Sequence, residues 1–355
     1  MKRVLVLGVN GFIGHHLSRR ILQTTDWEIV GMDTDDHRLE TELSHPRFAF
    51  HAGDIRTQQA WIEAQVARAD VVLPLVAIAT PSVYVTDPLG VFELDFEANL
   101  PIVRAVAKHG KHLVFPSTSE VYGMSGDTEF DADTSPLVYG PIGKTRWIYA
   151  CAKQMMDRVI HAHGQQRGLR YTLFRPFNWI GPGLDSVQAT KEGSSRVVTQ
   201  FLGQILRGEA LRLVSGGAQR RCFTDVTDGI DALMQILHNE RDIAIGRIYN
   251  IGNPGNDLSI RELAELMLEL ARAMPGFAAA ANRVVLQDVA PEVFYGPGYE
   301  DATRRVPNIE PARRDLGWSP RVSVRESLRR IFEAYRQDAA AAGALLGPQT
   351  PAAQG

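Results

Sequence analysis

Tyr149 and Lys153 stand four residues apart in the run Tyr149-Ala150-Cys151-Ala152-Lys153, a spacing that puts a phenol and an ammonium on one face of a helix. A free phenol ionises near pH 10, and a neighbouring cation favours its charged form. The pair is therefore suited to taking a proton from a hydroxyl group. Two more runs carry chemistry. Gly8-Val9-Asn10-Gly11-Phe12-Ile13-Gly14 offers backbone N–H groups with little side chain in the way, as a phosphate site needs. Ser117-Thr118-Ser119-Glu120-Val121-Tyr122-Gly123 sets two hydroxyls next to a carboxylate. A packed helix aromatic is the competing reading for Tyr149, ordinary loop hydroxyls for Thr118 and Ser119, and a plain turn for the glycines.

The elements that hold these runs favour the chemical readings. Arg3 to Leu7 reads as a buried strand, Gly11 to about Leu22 as a helix, and Glu28 to Asp33 as a second strand, so the glycine run is the first turn of a βαβ unit. Strands near Phe48–His51, Val71–Leu75 and His112–Pro116 alternate with helices near Gln59–Ala67 and Phe92–Lys108. A polar loop, Met124–Arg146, leads into the helix of Tyr149 and Lys153, and a strand follows at Tyr171–Arg175. This alternation predicts an α/β fold, a Rossmann-type doubly wound parallel sheet with helices on both faces. In that frame Gly8, Asn10, Gly11, Phe12, Ile13 and Gly14 meet a pyrophosphate at a helix N-terminus. Asp33, 19 residues beyond Gly14, receives a ribose diol and repels a 2′-phosphate, so NAD is expected over NADP. Asp54 and Ile55 follow the third strand and are expected near the adenine, with capping of the next helix as the alternative for Asp54.

Beyond about Phe177 the elements shorten and turns multiply, at Asn178–Gly183, Ser215–Gly217 and Asn253–Asn256. Helices over Val226–Leu237, Ile260–Arg272 and Val324–Arg336 have apolar spacing suited to packing a second lobe on the first. The expected division is an NAD-binding domain over 1–176 and a smaller C-terminal α/β substrate lobe over 177–337, with some chain exchanged between them. The Ala-, Gly- and Pro-rich tail, 338–355, has little to bury and is expected to lack fixed structure.

Across 355 residues the chain is 45% hydrophobic and 22% charged, with a net charge of −3, which gives no basic footprint for nucleic acid. Two cysteines make no disulfide framework, and no His/Cys spacing suits a metal. No apolar run approaches the roughly 18 residues of a membrane span. A cytoplasmic protein with a small-molecule substrate, no metal, and no nucleic-acid or membrane partner is expected.

The glycine spacing, Asp33, Tyr149 and Lys153 resemble the extended short-chain dehydrogenase/reductases, which modify nucleotide sugars while holding NAD, over about residues 2–336. Four runs narrow the resemblance: Pro116 to Gly123, Phe174-Arg175-Pro176-Phe177-Asn178-Trp179, Arg221-Cys222-Phe223-Thr224-Asp225 and Tyr295-Gly296-Pro297-Gly298-Tyr299. They look like the UDP-glucuronate decarboxylases of the polymyxin-resistance type. The resemblance implies oxidation at the sugar C4 with Tyr149 as base beside Lys153. Loss of the carboxylate, now β to a ketone, then gives UDP-4-keto-pentose, carbon dioxide and NADH. It places Thr118 and Ser119 at the sugar O4, makes Arg305 an acid or electrostatic partner, and sets Glu120 near C5 or the departing carboxylate. It carries substrate contacts onto Ala79, Tyr84, Thr118, Ser119, Arg146, Asn178, Tyr299 and the stretch from Arg212 through Gln219 to Arg221. A solvated surface pair is the competing reading for Arg304-Arg305.

Two departures bear on the expectation. The first strand begins at Arg3, so formyl transfer, which the bifunctional relatives perform in a preceding domain, is not expected of this chain. Arg212 stands where those relatives have lysine, with a different phosphate geometry. Redox-neutral UDP-xylose synthesis, 4-epimerisation and a non-catalytic NAD sensor are the alternatives. Ser119 occupies the slot where the related 4,6-dehydratases carry an aspartic acid, so dehydration lacks its acid. A homodimer or higher homo-oligomer, joined through a four-helix contact that includes the Tyr149 helix, is implied by the resemblance alone.

Overall fold

Seven parallel strands form one sheet in the order Arg247–Ile251, Arg170–Pro176, His112–Pro116, Val71–Pro74, Arg3–Leu7, Glu28–Asp33, Phe48–Ala52 in the computed structural model, which describes residues 1–188, 195–295 and 299–337. The order reverses beside Arg3–Leu7, and the carboxyl ends of the strands there open the crevice in which doubly wound sheets bind ligands. Alternation along that strand divides the core. Val4 and Val6 pack with Leu17 and Ile21 of helix Phe12–Thr24 and with Ile230 and Leu233 of helix Val226–His238. Leu5 and Leu7 pack on the other face with Ile62, Ile102, Val106, Met156 and Ile160. Helices thus cover both faces, as the fold class requires.

The sheet's edge strand, Arg247–Ile251, comes from the second half of the chain and pairs with Arg170–Pro176. Around it the second half builds small sheets: Arg220–Cys222 between Asp257–Ser259 and Arg304–Arg305, Thr224–Asp225 with Trp179–Ile180, and Leu286–Val289 with Leu211–Val214. Helix Ile260–Ala273 starts from a capping box in which Ser259 and Glu262 satisfy each other's backbone N–H. Helix Val324–Ala334 starts from Ser323, whose side chain accepts from the Glu326 N–H.

One expected element is corrected. Phe92–Lys108 is not a continuous α-helix: α-helix Pro88–Phe92 runs into a π-turn, Glu93–Glu97, and a second α-helix covers Leu100–Lys108. Pro101 has no N–H to give and its ring excludes the carbonyl four residues back. The chain answers with a longer turn, in which the Ala98 N–H donates to the Glu93 carbonyl, while the Asn99 amide takes up the Leu94 carbonyl at 2.9 Å. Helix Val197–Arg207 is an element absent from the sequence reading; its Gly203 lets the helix approach the Val187 carbonyl, which an added Cβ would meet at 2.6 Å. The tail 338–355 lies outside the described residues.

Candidate active site

The glycine run forms a tight strand-to-helix turn. Gly8 has φ +88°, and a Cβ on Gly14 would sit 2.3 Å from the Gly8 carbonyl oxygen, so the helix can press on the turn only with glycine there. Helix Phe12–Thr24 has no capping side chain and no acidic residue in its first turn, which leaves the N–H groups of Phe12, Ile13 and Gly14 without a side-chain acceptor at that end. Asn10 donates its backbone N–H to Asp33 Oδ2 at 2.8 Å, and the Thr34 N–H donates to Asp33 Oδ1 at 2.8 Å. Burial raises the Asp33 pKa, and those two N–H groups act against it. Donors for a diphosphate at a helix start and a fixed acceptor for a diol at the end of the next strand fit a dinucleotide. The Asn10 side chain also bonds Asp35 and receives the Arg38 N–H at 2.9 Å, which shapes the loop beyond Asp33. Asp54 accepts from the Arg56 N–H at 2.8 Å and pairs with its guanidinium at 2.6 Å, and it does not cap the following helix, whose N-cap position is Gln58, without a capping side chain. Ile55 is buried in the core beside Met32.

Tyr149 lies in the first turn of helix Ile148–Arg167, 6% exposed, with its ring stacked on Tyr84 at 4.6 Å between centroids. Burial first, then the charges of Asp95 and Glu120, hold the phenol well above its ordinary range, and a hydrogen bond with Thr118 acts the other way. It is a neutral phenol in this state. Lys153 shares the helix face of Tyr149, but its ammonium donates to the Pro116 carbonyl at 3.2 Å and pairs with Asp95 Oδ1 at 3.4 Å. The reason is electrostatic, because a carboxylate and a strand-end carbonyl attract the ammonium more than a phenol that keeps its proton. Thr118 and Ser119 are both buried, and the Thr118 hydroxyl accepts the Glu120 N–H at 3.2 Å.

Beyond Glu120 opens a cleft of about 1120 Å³ of empty space, continuous with solvent. Ala79, Glu120, Arg146, Asn178, Arg212, Gln219, Arg221, Tyr299 and Arg305 all line it, although they come from distant parts of the chain. Tyr84 and Thr118 lie instead against Tyr149, the first stacked on its ring and the second hydrogen-bonded to it, and Ser119 is buried beside Glu120 in the chain. Asn178 holds φ at 43°, outside the usual range for a side-chain-bearing residue, and donates toward the Cys222 carbonyl at 3.5 Å. The ring of Tyr299 stacks on Tyr295 at 3.9 Å; positions 296–298 between them lie outside the described residues.

The charged floor of the cleft is a closed ring. Arg146 bonds Glu120 at 2.6 Å and Asp301 at 3.4 Å, while Arg305 bonds Glu120 at 3.3 Å and Asp301 at 2.8 Å. Arg221 joins from outside the ring, 2.6 Å from Asp301. Burial alone would raise the pKa of both carboxylates, but the arginines outweigh it and hold Glu120 and Asp301 below the usual range. All three guanidinium groups are buried, so three cations face two anions out of water. Such a floor favours one more negative group. Arg305 is not a solvated surface residue: it is 3% exposed, whereas its neighbour Arg304 points outward to Asp257.

Asp95, Arg196 and Asp301 are site residues that the sequence reading missed. Asp301 follows Tyr299 closely and sits four residues before Arg305, a weak signal that only the fold makes meaningful. Arg196, paired with Asp185 at 2.7 Å, lines the cleft and lies 5.8 Å from the ring of Phe12, so it places a cation where the glycine turn meets the cleft. Phe201 and Phe223 add apolar wall. Among the described residues no His, Cys, Asp and Glu group has metal-binding geometry, and no helix is long and apolar enough to cross a membrane.

Residues 4–252 match the model of a family described as the NAD dependent epimerase/dehydratase family. The crystal structure of the PbgP3 protein from Burkholderia pseudomallei shares 60% sequence identity over 96% of this chain and 98% of that one, with a TM-score of 0.87. UDP-glucuronic acid 4-epimerase from Bacillus cereus, in complex with UDP-glucuronic acid and NAD, matches at 21% identity over 94% of this chain and 99% of that one, TM-score 0.78. dTDP-glucose 4,6-dehydratase from Bacillus anthracis, in complex with NAD, matches at 21% over 95% and 97%, TM-score 0.76. At that identity the last two likenesses are likenesses of fold.

Proposed function

The chain belongs to the NAD dependent epimerase/dehydratase family, and on that premise we propose that it oxidises and decarboxylates UDP-glucuronate, giving UDP-4-keto-pentose, carbon dioxide and NADH. The observation that carries this reading is the ring of Glu120, Arg146, Asp301 and Arg305 with Arg221 beside it, a buried cationic excess close to Tyr149. A neutral hexose presents nothing to it. A hexuronate presents a carboxylate, and the arginines lining the rest of the cleft, Arg196 and Arg212, suit the diphosphate.

When bound, NAD⁺ would be held by the glycine turn and Asp33 and would supply the acceptor for the hydride from C4. Tyr149, once ionised to the phenolate, takes the C4 hydroxyl proton, and Thr118 and Ser119 orient that oxygen. The ketone at C4 makes the C5 carboxylate a β-keto acid, so the C5–C6 bond breaks with its electron pair passing into an enolate and carbon dioxide departing. Arg305 and Arg146 stabilise the negative charge as it moves from carboxylate to enolate. A proton returned to C5 by Arg305 as the acid, with Glu120 assisting, completes the ketone. The proton taken at C4 and the proton given at C5 balance, and the net change is one hydride to NAD⁺ and one carbon dioxide lost.

The test is stoichiometric. Protein, UDP-glucuronate and excess NAD⁺ are incubated, NADH is read at 340 nm against carbon dioxide released, and the sugar nucleotide is identified by NMR. A ratio near one with a keto-pentose supports the reading. UDP-xylose with almost no NADH would assign a redox-neutral synthase, and UDP-galacturonate without carbon dioxide a 4-epimerase.

A further inference from the structure

Asp95 is the most deeply buried acid near Tyr149, and its position is built. It sits in the middle of the π-turn Glu93–Glu97, fully out of solvent. Its Oδ2 accepts the Ile78 N–H at 3.0 Å, and Lys153 lies 3.4 Å from its Oδ1. Just past the π-turn, the Asn99 amide bonds the Val76 carbonyl at 3.3 Å, so Asp95 and Asn99 together hold Val76 and Ile78 in the segment that leads to Ala79 in the cleft wall. π-turns of this kind are common at functional sites. Here the extra residue in the turn brings a carboxylate against the ammonium that the proposed chemistry needs beside the phenol.

We propose that Asp95 is a positioning residue for Lys153, holding its ammonium against the strand end and matching its charge, so that the phenol keeps its proton until the cofactor site fills. The inference rests on the reading of Tyr149 as the base. Asp95 and Glu120 oppose ionisation of the phenol, and Arg196 and the Thr118 hydroxyl favour it; the neutral Tyr84 covers its other face. Glu120 is already matched by Arg146 and Arg305. Asp95 is matched by Lys153, and in doing so it cancels the very charge that would otherwise draw out the phenolic proton. Removing the Asp95 charge therefore leaves Lys153 unopposed next to Tyr149.

The experiment is a spectroscopic titration of the cofactor-free protein. Tyrosinate absorbance at 295 nm is followed with pH, and subtracting the curve of the matching Tyr149→Phe variant isolates this one phenol. Asp95→Asn should lower its midpoint by about one pH unit or more, and Asp95→Glu, which keeps the charge, should leave it near the wild-type position. Asp95→Ser gives the same reading if the asparagine variant does not fold. A neutral variant that melts earlier but titrates at the wild-type midpoint would overturn the proposal and reduce Asp95 to a brace for the π-turn. The titration needs no substrate, whereas the reading of Tyr149 as base fails separately, by full turnover in Tyr149→Phe.

Discussion

Replacing Asp301 with asparagine keeps the shape of the cleft floor and removes the anion that three buried arginines share. Arg221 and Arg305 bond it at 2.6 and 2.8 Å, Arg146 at 3.4 Å, and Tyr299 donates its hydroxyl at 3.1 Å. Removing one partner of a buried ion pair typically costs about 3–5 kcal/mol. Glu120 still holds Arg146 and Arg305, and the Asp301 side chain is 17% exposed, so the low end, about 3 kcal/mol, is expected. The pH dependence follows from the direction of the shift. Burial pushes the Asp301 carboxyl up and the three arginines more than reverse it, so its folded pKa lies below its unfolded one. Its contribution is then fully present above the unfolded value, about 3.9, and is lost as pH falls through the folded one. Urea unfolding of wild type and variant should show a gap that is flat from about pH 5 to 8 and shrinks by up to about 1.4 kcal/mol per unit below about 3.9. The same change leaves the floor more cationic, so the variant should bind UDP-glucuronate more tightly relative to UDP-glucose, which has the same nucleotide and no carboxylate. A gap under about 1 kcal/mol at pH 7, or one that widens on acidification, would refute the account of the ring.

Tyr149→Phe should bind NAD normally by fluorescence titration and lose at least about 10²-fold in turnover, the usual scale for a missing acid–base group; wild-type turnover would sink the assignment. NAD⁺ should be strongly preferred to NADP⁺, and Asp33→Ala should narrow the ratio of their dissociation constants, because the carboxylate held by the Asn10 and Thr34 N–H groups repels a 2′-phosphate. An unchanged ratio in the variant would move the discrimination elsewhere. Glu120→Gln and Arg305→Met should still bind UDP-glucuronate while releasing little carbon dioxide from ¹³C-carboxyl-labelled substrate. Release at the normal rate from either variant would make that residue structural.

What was legible in the sequence was whatever is written in short range. The strand Glu28–Asp33 and the strand His112–Pro116 lie where the apolar runs placed them, because a strand buried on both faces must be continuously apolar. The glycine turn, Asp33 and the Tyr149 helix were readable for the same reason, since each is a local arrangement of residue types. The break at Glu93–Glu97 was not, because the apolar spacing of Phe92, Phe96 and Ile102 suits a helix and only Pro101 hints that the ladder fails. Helix Val197–Arg207 was not assigned from sequence, and its Gly203 finds its reason only in the fold, in the close approach of the Val187 carbonyl.

The charged residues show where such reading stops. Glu120, Arg146, Arg221 and Arg305 could be named one at a time by resemblance, yet the property that makes them a site is a sum over all of them. That sum is decided by one aspartate that no motif pointed to, and the place of Lys153 by a second. Asp301 converts three arginines that would repel one another into an ordered floor, with one positive charge left over. Asp95 takes the ammonium of Lys153, four residues along the helix from the phenol it was expected to activate. Local spacing correctly put Tyr149 and Lys153 on one face, but a helix face fixes only where two side chains start. Where a long, flexible ammonium ends is settled by the nearest buried anion, and that anion lies more than fifty residues earlier, on an element whose irregular turn alone brings it within reach.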